Sequence, residues 1–373
     1  SPEGVRAAVQ SGAGAVYMGF GTFNARRGEK SFSQDEMAQA IAYCRARGVK
    51  TNITLNILAG DRELDAALQD ARFLYEAGAD ALIVQDLGLA RLIHAHAPDF
   101  ALHASTQMTV HTLDGAREAR DIGFSRVVLS RECTRDEVRL ITEQAGVETE
   151  VFVHGALCMC YSGQCYLSAV IGQRSGNRGL CAQPCRLPHD LVDEEGNVVE
   201  APGNTRPLCP KDYCTVDHLQ EMIDAGVGSL KVEGRMKAPD YVYNVVDAYR
   251  EAIDATLAGR QMDAAEDLAV HRRLKRAFNR DFTDAYLMGT SGDEMMSYDR
   301  SNNRGEVVGT VASSRALEDR VARRGGGNGG RQRTRRYTQA EAVISLAEPV
   351  EKGDLLELRP VDDPSQFLTV HAE

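Results

Sequence analysis

From the first residue to about residue 235 the chain repeats one pattern of apolar and polar positions. A stretch with apolar residues at helical spacing is followed by a glycine and then by a short apolar run. The glycine and run recur at Gly12–Tyr17, Gly48–Ile53, Gly78–Val84, Gly123–Val128 and Gly226–Val232. A glycine suits the left-handed residue that ends a helix. A short run that is apolar throughout suits a strand buried on both faces. Two further strands are predicted at about Phe100–Thr106 and Val147–His154.

Seven strands alternating with helices predict a parallel α/β fold. The chain opens directly on a helix, with Ser1 as N-cap and Pro2 at the first helical position, which implies an eighth, leading strand ahead of Ser1. Ser1 stands where a natural chain would begin with Met, and more sequence is expected before it. The expectation is a TIM-type (β/α)8 barrel lacking its first strand, over residues 1–240. An open doubly wound sheet is the rival, lowered because no G-x-G-x-x-G follows an early strand. A cysteine-rich segment, 155–214, interrupts the alternation and contains a hairpin-like piece, His189–Glu200, turning at Glu195–Asn197. Helices are predicted from about Tyr241 to Phe278, within a helical extension 241–300. Strands at Glu306–Ala312, Ala342–Leu346 and Leu355–Leu358 predict a small β-barrel domain over 301–373. An Arg/Gly-rich loop, 320–336, lies between the first two, with seven arginines and no acidic residue.

Composition narrows the function. With 43 Lys+Arg against 54 Asp+Glu the formal net charge is −11, which argues against a protein that simply coats nucleic acid but leaves room for a local basic patch. No apolar run reaches the roughly 18 residues of a membrane span and no signal peptide opens the chain, so a soluble, cytoplasmic protein is expected. Of nine cysteines, Cys44 and Cys133 stand alone, while Cys158, Cys160, Cys165, Cys181, Cys185, Cys209 and Cys214 fall within 57 residues. Without a secretion signal, that density reads as metal or redox chemistry rather than disulfides. Structural zinc favours paired C-x₂₋₄-C knuckles. Only Cys181 and Cys185 approach that spacing, and long uneven gaps fit an iron–sulfur cluster at least as well.

A TIM-type barrel carries its chemistry at the carboxyl ends of its strands. The polar residues predicted there are Asn52, Asn56, Gln85, Asp86, His103, Ser105, Thr106 and Gln107, followed by Arg131, Glu132, Glu150, His154, Lys231, Glu233 and Arg235. The last seven are the candidate catalytic residues. Converging Arg, Lys, His and Glu suit a small anionic substrate that needs charge-assisted clamps and proton transfer. Each of them could instead belong to a buried ion pair filling a barrel layer. No H-E-x-x-H, G-x-S-x-G or P-loop is present, so a peptidase of standard mechanism has no visible machinery. The tract Arg323–Arg331 could contact phosphates, although charge runs are more often only solvated.

The run Glu150–Ser168, with His154, Gly155, Cys158, Ser162, Gly163 and Cys165, resembles the signature of the peptidase U32 family, the collagenase-like peptidases. Gly14–Gly19, Ala104–Gln107, Ser130–Glu132, Gly179–Arg186, Pro210–Cys214 and Lys231–Lys237 support the resemblance, which extends to about Gly289. The family opens with a short strand ending in a Pro-Ala-Gly turn, which is not found here. The resemblance implies a [4Fe–4S] cluster and oxygen-independent hydroxylation, either of the tRNA wobble uridine with prephenate as hydroxyl donor, of a cytidine in 23S rRNA, or of ubiquinone precursors. Carried over, the cluster ligands are Cys158, Cys165, Cys181 and Cys214, with Cys185 competing for the third place. The expectation is therefore an iron–sulfur-dependent RNA hydroxylase, with zinc as the lesser alternative. Arg131, Lys231 and Arg235 would hold a dicarboxylate donor, Glu150 and Glu233 would serve proton transfer, and the C-terminal β domain would position tRNA or rRNA. A peptidase and a non-catalytic metal-stabilised partner subunit are the rivals. The sequence sets no oligomeric state.

Overall fold

The computed structural model describes residues 1–26, 31–199, 205–324, 333–361 and 366–372. The chain divides after Gly305 into two compact units.

The first unit alternates as the pattern predicts. It runs α1 (Pro2–Gln10), β1 (Ala15–Gly19), α2 (Gln34–Arg45), β2 (Lys50–Leu55), α3 (Leu64–Ala77), β3 (Ala81–Val84), α4 (Leu87–His96), β4 (Ala101–Ala104), α5 (Leu113–Ile122), β5 (Arg126–Val128), α6 (Arg135–Gln144) and β6 (Glu148–Ala156). After the cysteine-rich segment, with its short helix α7 (Leu167–Gly172), come β7 (Asp212–Cys214), α8 (Leu219–Asp224), β8 (Ser229–Val232), α9 (Pro239–Leu257), α10 (Ala264–Arg276) and β9 (Phe282–Thr283). Local chemistry sets the helix ends. Ser1 caps α1 by accepting from the Gly4 N–H at 3.2 Å, with Pro2 at the first helical position, and Thr134 and Glu137 form a capping box on α6. Gly78 ends α3 at φ 81°, a left-handed conformation that strains any residue with a Cβ.

Strands β1 to β6 pair in parallel in chain order, and β8 runs parallel to β6. These are the seven expected strands. Among the described residues no ladder joins β8 back to β1, and a cavity of about 720 Å³ lines that seam between α1 and α9. The ring expected from the sequence is thus an open one. The strand β7 pairs antiparallel with the last three residues of β6 and carries β9, an arrangement that alternation alone does not predict. Leu55, Leu82, Val84, Val127 and Val153 have no exposed surface, so the core follows the strands. The helices expected as an extension, α9 and α10, pack on each other, α9 also packs on α1, and both fall in the first unit. The expected hairpin at His189–Glu200 is a single antiparallel bridge, Val192 to Val198; Glu200 lies outside the described residues. No helix is long and apolar enough to cross a membrane among the described residues.

The second unit contains two antiparallel ladders, β10 (Gly309–Arg324) with β11 (Arg333–Leu346), and β12 (Leu355–Leu358) with β13 (Leu368–His371). Among the described residues these are separate two-stranded sheets rather than the closed barrel expected. The tract 320–336, expected to be a loop, supplies the ends of β10 and β11, because the ladder continues to Arg324 and Arg333; residues 325–332 lie outside the described residues.

Candidate active site

The charged residues singled out from the sequence separate into two layers. In the lower layer, Lys231 Nζ lies 2.6 Å from Glu150 Oε1, and Arg126 Nη1 lies 3.0 Å from Glu150 Oε2. The Ser229 hydroxyl donates to the same Oε2 at 2.9 Å, and Arg126 also reaches Glu148 at 2.8 Å. Burial would raise the Glu150 carboxyl, but Lys231, Arg126 and His103 pull it down to about 2. His103 is buried alongside; burial, then Arg126, lowers its imidazole to about 4. Sequence reasoning placed Glu150 at a strand end. It is instead the third residue of the nine-residue β6, level with the first residue of β8, so it sits low in the parallel sheet with both oxygens engaged. That is the geometry of a structural ion layer.

The upper layer is different. Glu233 follows β8, and its Oε2 lies 3.9 Å from Arg131 Nη2, while its Oε1 accepts from the Arg235 backbone N–H at 3.2 Å. Burial would raise this carboxyl too; Arg235, then Arg26 and Arg131, bring it down to about 2. Arg131 and Arg235 therefore flank one carboxylate, and Arg26 adds a third positive charge within electrostatic reach. The Arg131 guanidinium stacks 3.9 Å over the Phe152 ring, and Lys231 and Arg235 lie 4.3 Å and 5.2 Å from the centre of the Tyr17 ring. Asn56 sets the loop that carries Arg26, accepting from the Ala25 N–H at 3.0 Å and donating to Ser105 Oγ at 3.0 Å. Arg26 and Tyr17 were missed from the sequence. Tyr17 stood inside a recurring strand block, and Arg26 had no motif around it. Asp86 is no site residue: it caps α4 through the Leu89 N–H at 2.8 Å.

Glu132 does not point at this cluster. Its Oε1 accepts from the Ser162 N–H at 3.0 Å and the Ser162 hydroxyl at 3.1 Å, which ties the cysteine segment to the loop after β5. Beside that tie, Gly163 has φ 78°, and a Cβ there would stand 2.1 Å from the Gln107 carbonyl oxygen. Gln85 donates to that same oxygen at 3.0 Å. The segment therefore lies directly on the carboxyl ends of β3, β4 and β5. Arg186, also missed from the sequence, closes it by donating to the Leu157 carbonyl at 2.8 Å, to Cys209 Sγ at 3.2 Å and to the Pro210 carbonyl. One buried guanidinium thus holds both ends of the insertion.

His154 is separate from both layers. It is buried in an aromatic box with ring centroids at 5.5 Å to Tyr249, 5.4 Å to Phe282 and 6.2 Å to Tyr241, and burial, then Lys237, lowers it to about 3. Across the β6–β7 ladder it faces Cys214, whose Sγ lies 3.7 Å from the Tyr249 hydroxyl; burial pushes the Cys214 thiol up to about 11.

All nine cysteines are free thiols. Cys158, Cys160 and Cys165 lie within electrostatic reach of one another, and Cys185 within reach of Cys158, Cys181 and Cys209. Cys209 is held by Arg186, and Cys214 stands against Tyr249. Among the described residues, the one constellation of His, Cys, Asp and Glu donors within 4.8 Å of each other is Asp217, Asp267 and His271, on the outer face near α10; no three sulfurs come so close. A single zinc ion needs its donors converged on one point. A four-iron cluster takes each thiolate at a different iron and so asks for wider spacing. The donor set, several free thiols in one segment, is of the kind such a cluster takes, and Cys214, against Tyr249, is the outlying member of the expected set.

The model of a family described as peptidase family U32 matches residues 1–297. The 23S rRNA 5-hydroxycytidine C2501 synthase of Escherichia coli (strain K12) is 39% identical over 311 residues, covering 82% of this chain and 47% of that protein. The tRNA hydroxylation protein P1 of Bacillus subtilis (strain 168) is 34% identical over 300 residues, covering 78% of this chain and 70% of that protein. A collagenase of Porphyromonas gingivalis (strain ATCC BAA-308 / W83) is 34% identical over 308 residues, covering 78% and 72% respectively. The chain thus spans about half the length of the first of these relatives.

Proposed function

The chain belongs to peptidase family U32, and from that premise we propose that it hydroxylates a pyrimidine of tRNA or 23S rRNA, by an iron–sulfur-dependent reaction that does not use molecular oxygen. The observation that carries this reading is the arrangement of the mouth: Arg131 and Arg235 paired with Glu233, with Arg26 in electrostatic reach, beside a cysteine segment anchored on Glu132. Two relatives bear names of RNA hydroxylation, one for 23S rRNA and one for tRNA, which supports the substrate class.

Cys158, Cys165, Cys181 and Cys214 would hold the cluster, with Cys185 as the alternative third ligand. When bound, the cluster supplies one-electron chemistry at the mouth. The chain's own residues do the rest. Arg131, Arg235 and Arg26 clamp the carboxylates of a small dianionic hydroxyl donor, for which prephenate is the candidate. Glu233, held ionised, orients the guanidinium groups and accepts hydrogen bonds instead of donating a proton at neutral pH. Lys231 and Glu150 support the floor of the site from below.

The test is direct. Protein purified without oxygen should contain about four iron and four acid-labile sulfide per chain, and RNA from cells lacking and regaining the gene should differ in one hydroxylated pyrimidine by nucleoside mass spectrometry. Zinc alone, or RNA without such a difference, would overturn the reading. The relative named collagenase favours a second reading as a peptidase. Cleavage of gelatin that persists when Cys158 and Cys165 are replaced by serine would put that reading first.

A further inference from the structure

Between Gly155 and His189 the chain carries Arg174, Arg178 and Arg186 and no aspartate or glutamate, in a molecule with 54 acidic residues in 373. The same stretch turns large apolar and aromatic side chains outward: Tyr161 is 60% exposed, Tyr166 64% and Val170 80%. Surface hydrophobic residues are ordinarily scattered singly. Here they gather on the segment that covers the mouth. Tyr161 and Tyr166 each follow a cysteine, and those cysteines, Cys160 and Cys165, have interacting thiols. The Tyr161 ring lies 6.2 Å from His111, and its neighbour Ser162 is bound to Glu132, next to Arg131.

We propose that Tyr161 and Tyr166 form a stacking shelf for the unpaired bases flanking the target nucleotide of a single-stranded RNA. This rests on the hydroxylase reading above. Planar rings accept the face of any base, so a shelf holds a loop of varied sequence while the mouth selects the reacting base. The segment is also a favourable place for a polyanion to touch a chain of net charge −11, because it lacks acidic groups. Arg174 donates its Nε to the Leu180 carbonyl at 3.1 Å and is exposed, so its guanidinium is within reach of a phosphate from solvent. Arg178 is committed to the fold, bonding the Leu58 carbonyl at 2.8 Å and Glu63 at 2.6 Å.

The experiment measures binding of the iron-loaded 373-residue chain to a fluorescein-labelled single-stranded oligoribonucleotide at fixed salt. Tyr161→Ala and Tyr166→Ala should each weaken binding roughly tenfold, as loss of one base stack does, while Tyr161→Phe and Tyr166→Phe stay within about twofold of the parent. Iron content should be unchanged, and only Arg174→Gln should flatten the salt dependence, by about 0.7 in the log–log slope. Alanine variants that bind like the parent would overturn the shelf. So would phenylalanine variants as weak as alanine, a parent that does not bind the oligonucleotide, or alanine variants that change the sedimentation of the protein alone, which would make the surface a protein interface. Nucleoside mass spectrometry on the same variants separates the two readings. Shelf-dependent binding without a hydroxylated product would sink the hydroxylase reading alone. A hydroxylated product untouched by the alanine variants would sink the shelf alone.

Discussion

Lys231 and Glu150 meet at 2.6 Å with almost no solvent on either side chain, and a buried pair of this kind is kept or lost as a unit. Lys231→Met leaves an ionised carboxylate with only Arg126 and Ser229, and should cost about 3 kcal/mol in urea unfolding, the lower end for a broken buried pair. Adding Glu150→Leu should restore most of the loss, because Arg126 keeps Glu148. Single and double variants of equal stability would refute the pairing. Acid acts on the same layer. The His103 imidazole is lowered to about 4, so below about pH 6.5 the unfolded chain takes up a proton that the folded chain refuses. Stability should therefore fall as the pH drops from 6.5 toward 4. The carboxyls of Glu150 and Glu233, held at about 2, contribute stability that is complete above their unfolded value and is lost as the pH falls from about 4.5 toward 2. Urea midpoints of His103→Gln should decline less between pH 6.5 and 4 and as steeply as the parent below that. At the mouth, the proposed function expects Arg131→Ala to keep the iron content of the parent and to lose about 10- to 100-fold in kcat/KM for an anionic donor, the equivalent of one charge-assisted hydrogen bond. Loss of iron with activity would instead make Arg131 a structural residue.

At the scale of elements, the cysteine segment depends on its seat. Gly163 combines a left-handed φ of 78° with a backbone oxygen 2.1 Å from where a Cβ would sit. Gly163→Ala must therefore lift the Cys158–Cys165 turn off the carboxyl ends of β3 to β5. Gly196 has an equally left-handed φ, 84°, but nothing within 4 Å of its Cβ, so Gly196→Ala carries the backbone strain without the clash. On the proposed function, iron content after anaerobic reconstitution should collapse in the first variant and persist in the second, while both keep the far-ultraviolet circular dichroism of the α/β unit. Equal iron in the two would mean that the seat is not what positions the thiols. Part of this element was legible beforehand, because the density of cysteines marked it as a segment of its own and the glycine-led runs announced the strands. What was hidden were the fasteners. Glu132 looked like a mouth residue because it follows Arg131 at a strand end. Its partner, Ser162, is 30 residues away in sequence, and no local pattern connects them. Arg186 was invisible for the same reason, since it joins residues on either side of the insertion.

Over the whole molecule, alternation predicted the order and direction of seven parallel strands, because a strand buried on both faces writes itself as an apolar run. Depth along the parallel strands was not legible. A side chain on β6 can lie at the floor or at the mouth depending on how far the strand extends, and nine residues put Glu150 at the floor and left β7 to pair at the top. In the C-terminal unit the expected strands are present, but the flanks of the arginine- and glycine-rich tract, which read as loop by composition, continue a long antiparallel ladder. The division after Gly305 offers the test of what each unit does. The first unit contains the charged layers, the cysteine segment and its fasteners, and its core includes α9 and α10. Residues 1–305 expressed alone should therefore unfold cooperatively, bind iron to the same level as the full chain and keep the shelf's preference for single strands. If Glu306–Glu373 positions RNA, the shorter protein should bind a folded tRNA or rRNA fragment about tenfold more weakly and with a smaller salt slope, since phosphate contacts are what such a unit adds. Unchanged affinity would place all recognition in the first unit. Loss of iron on truncation would instead mean that the second unit supports the metal site itself, and the role assigned to it here would have to be abandoned.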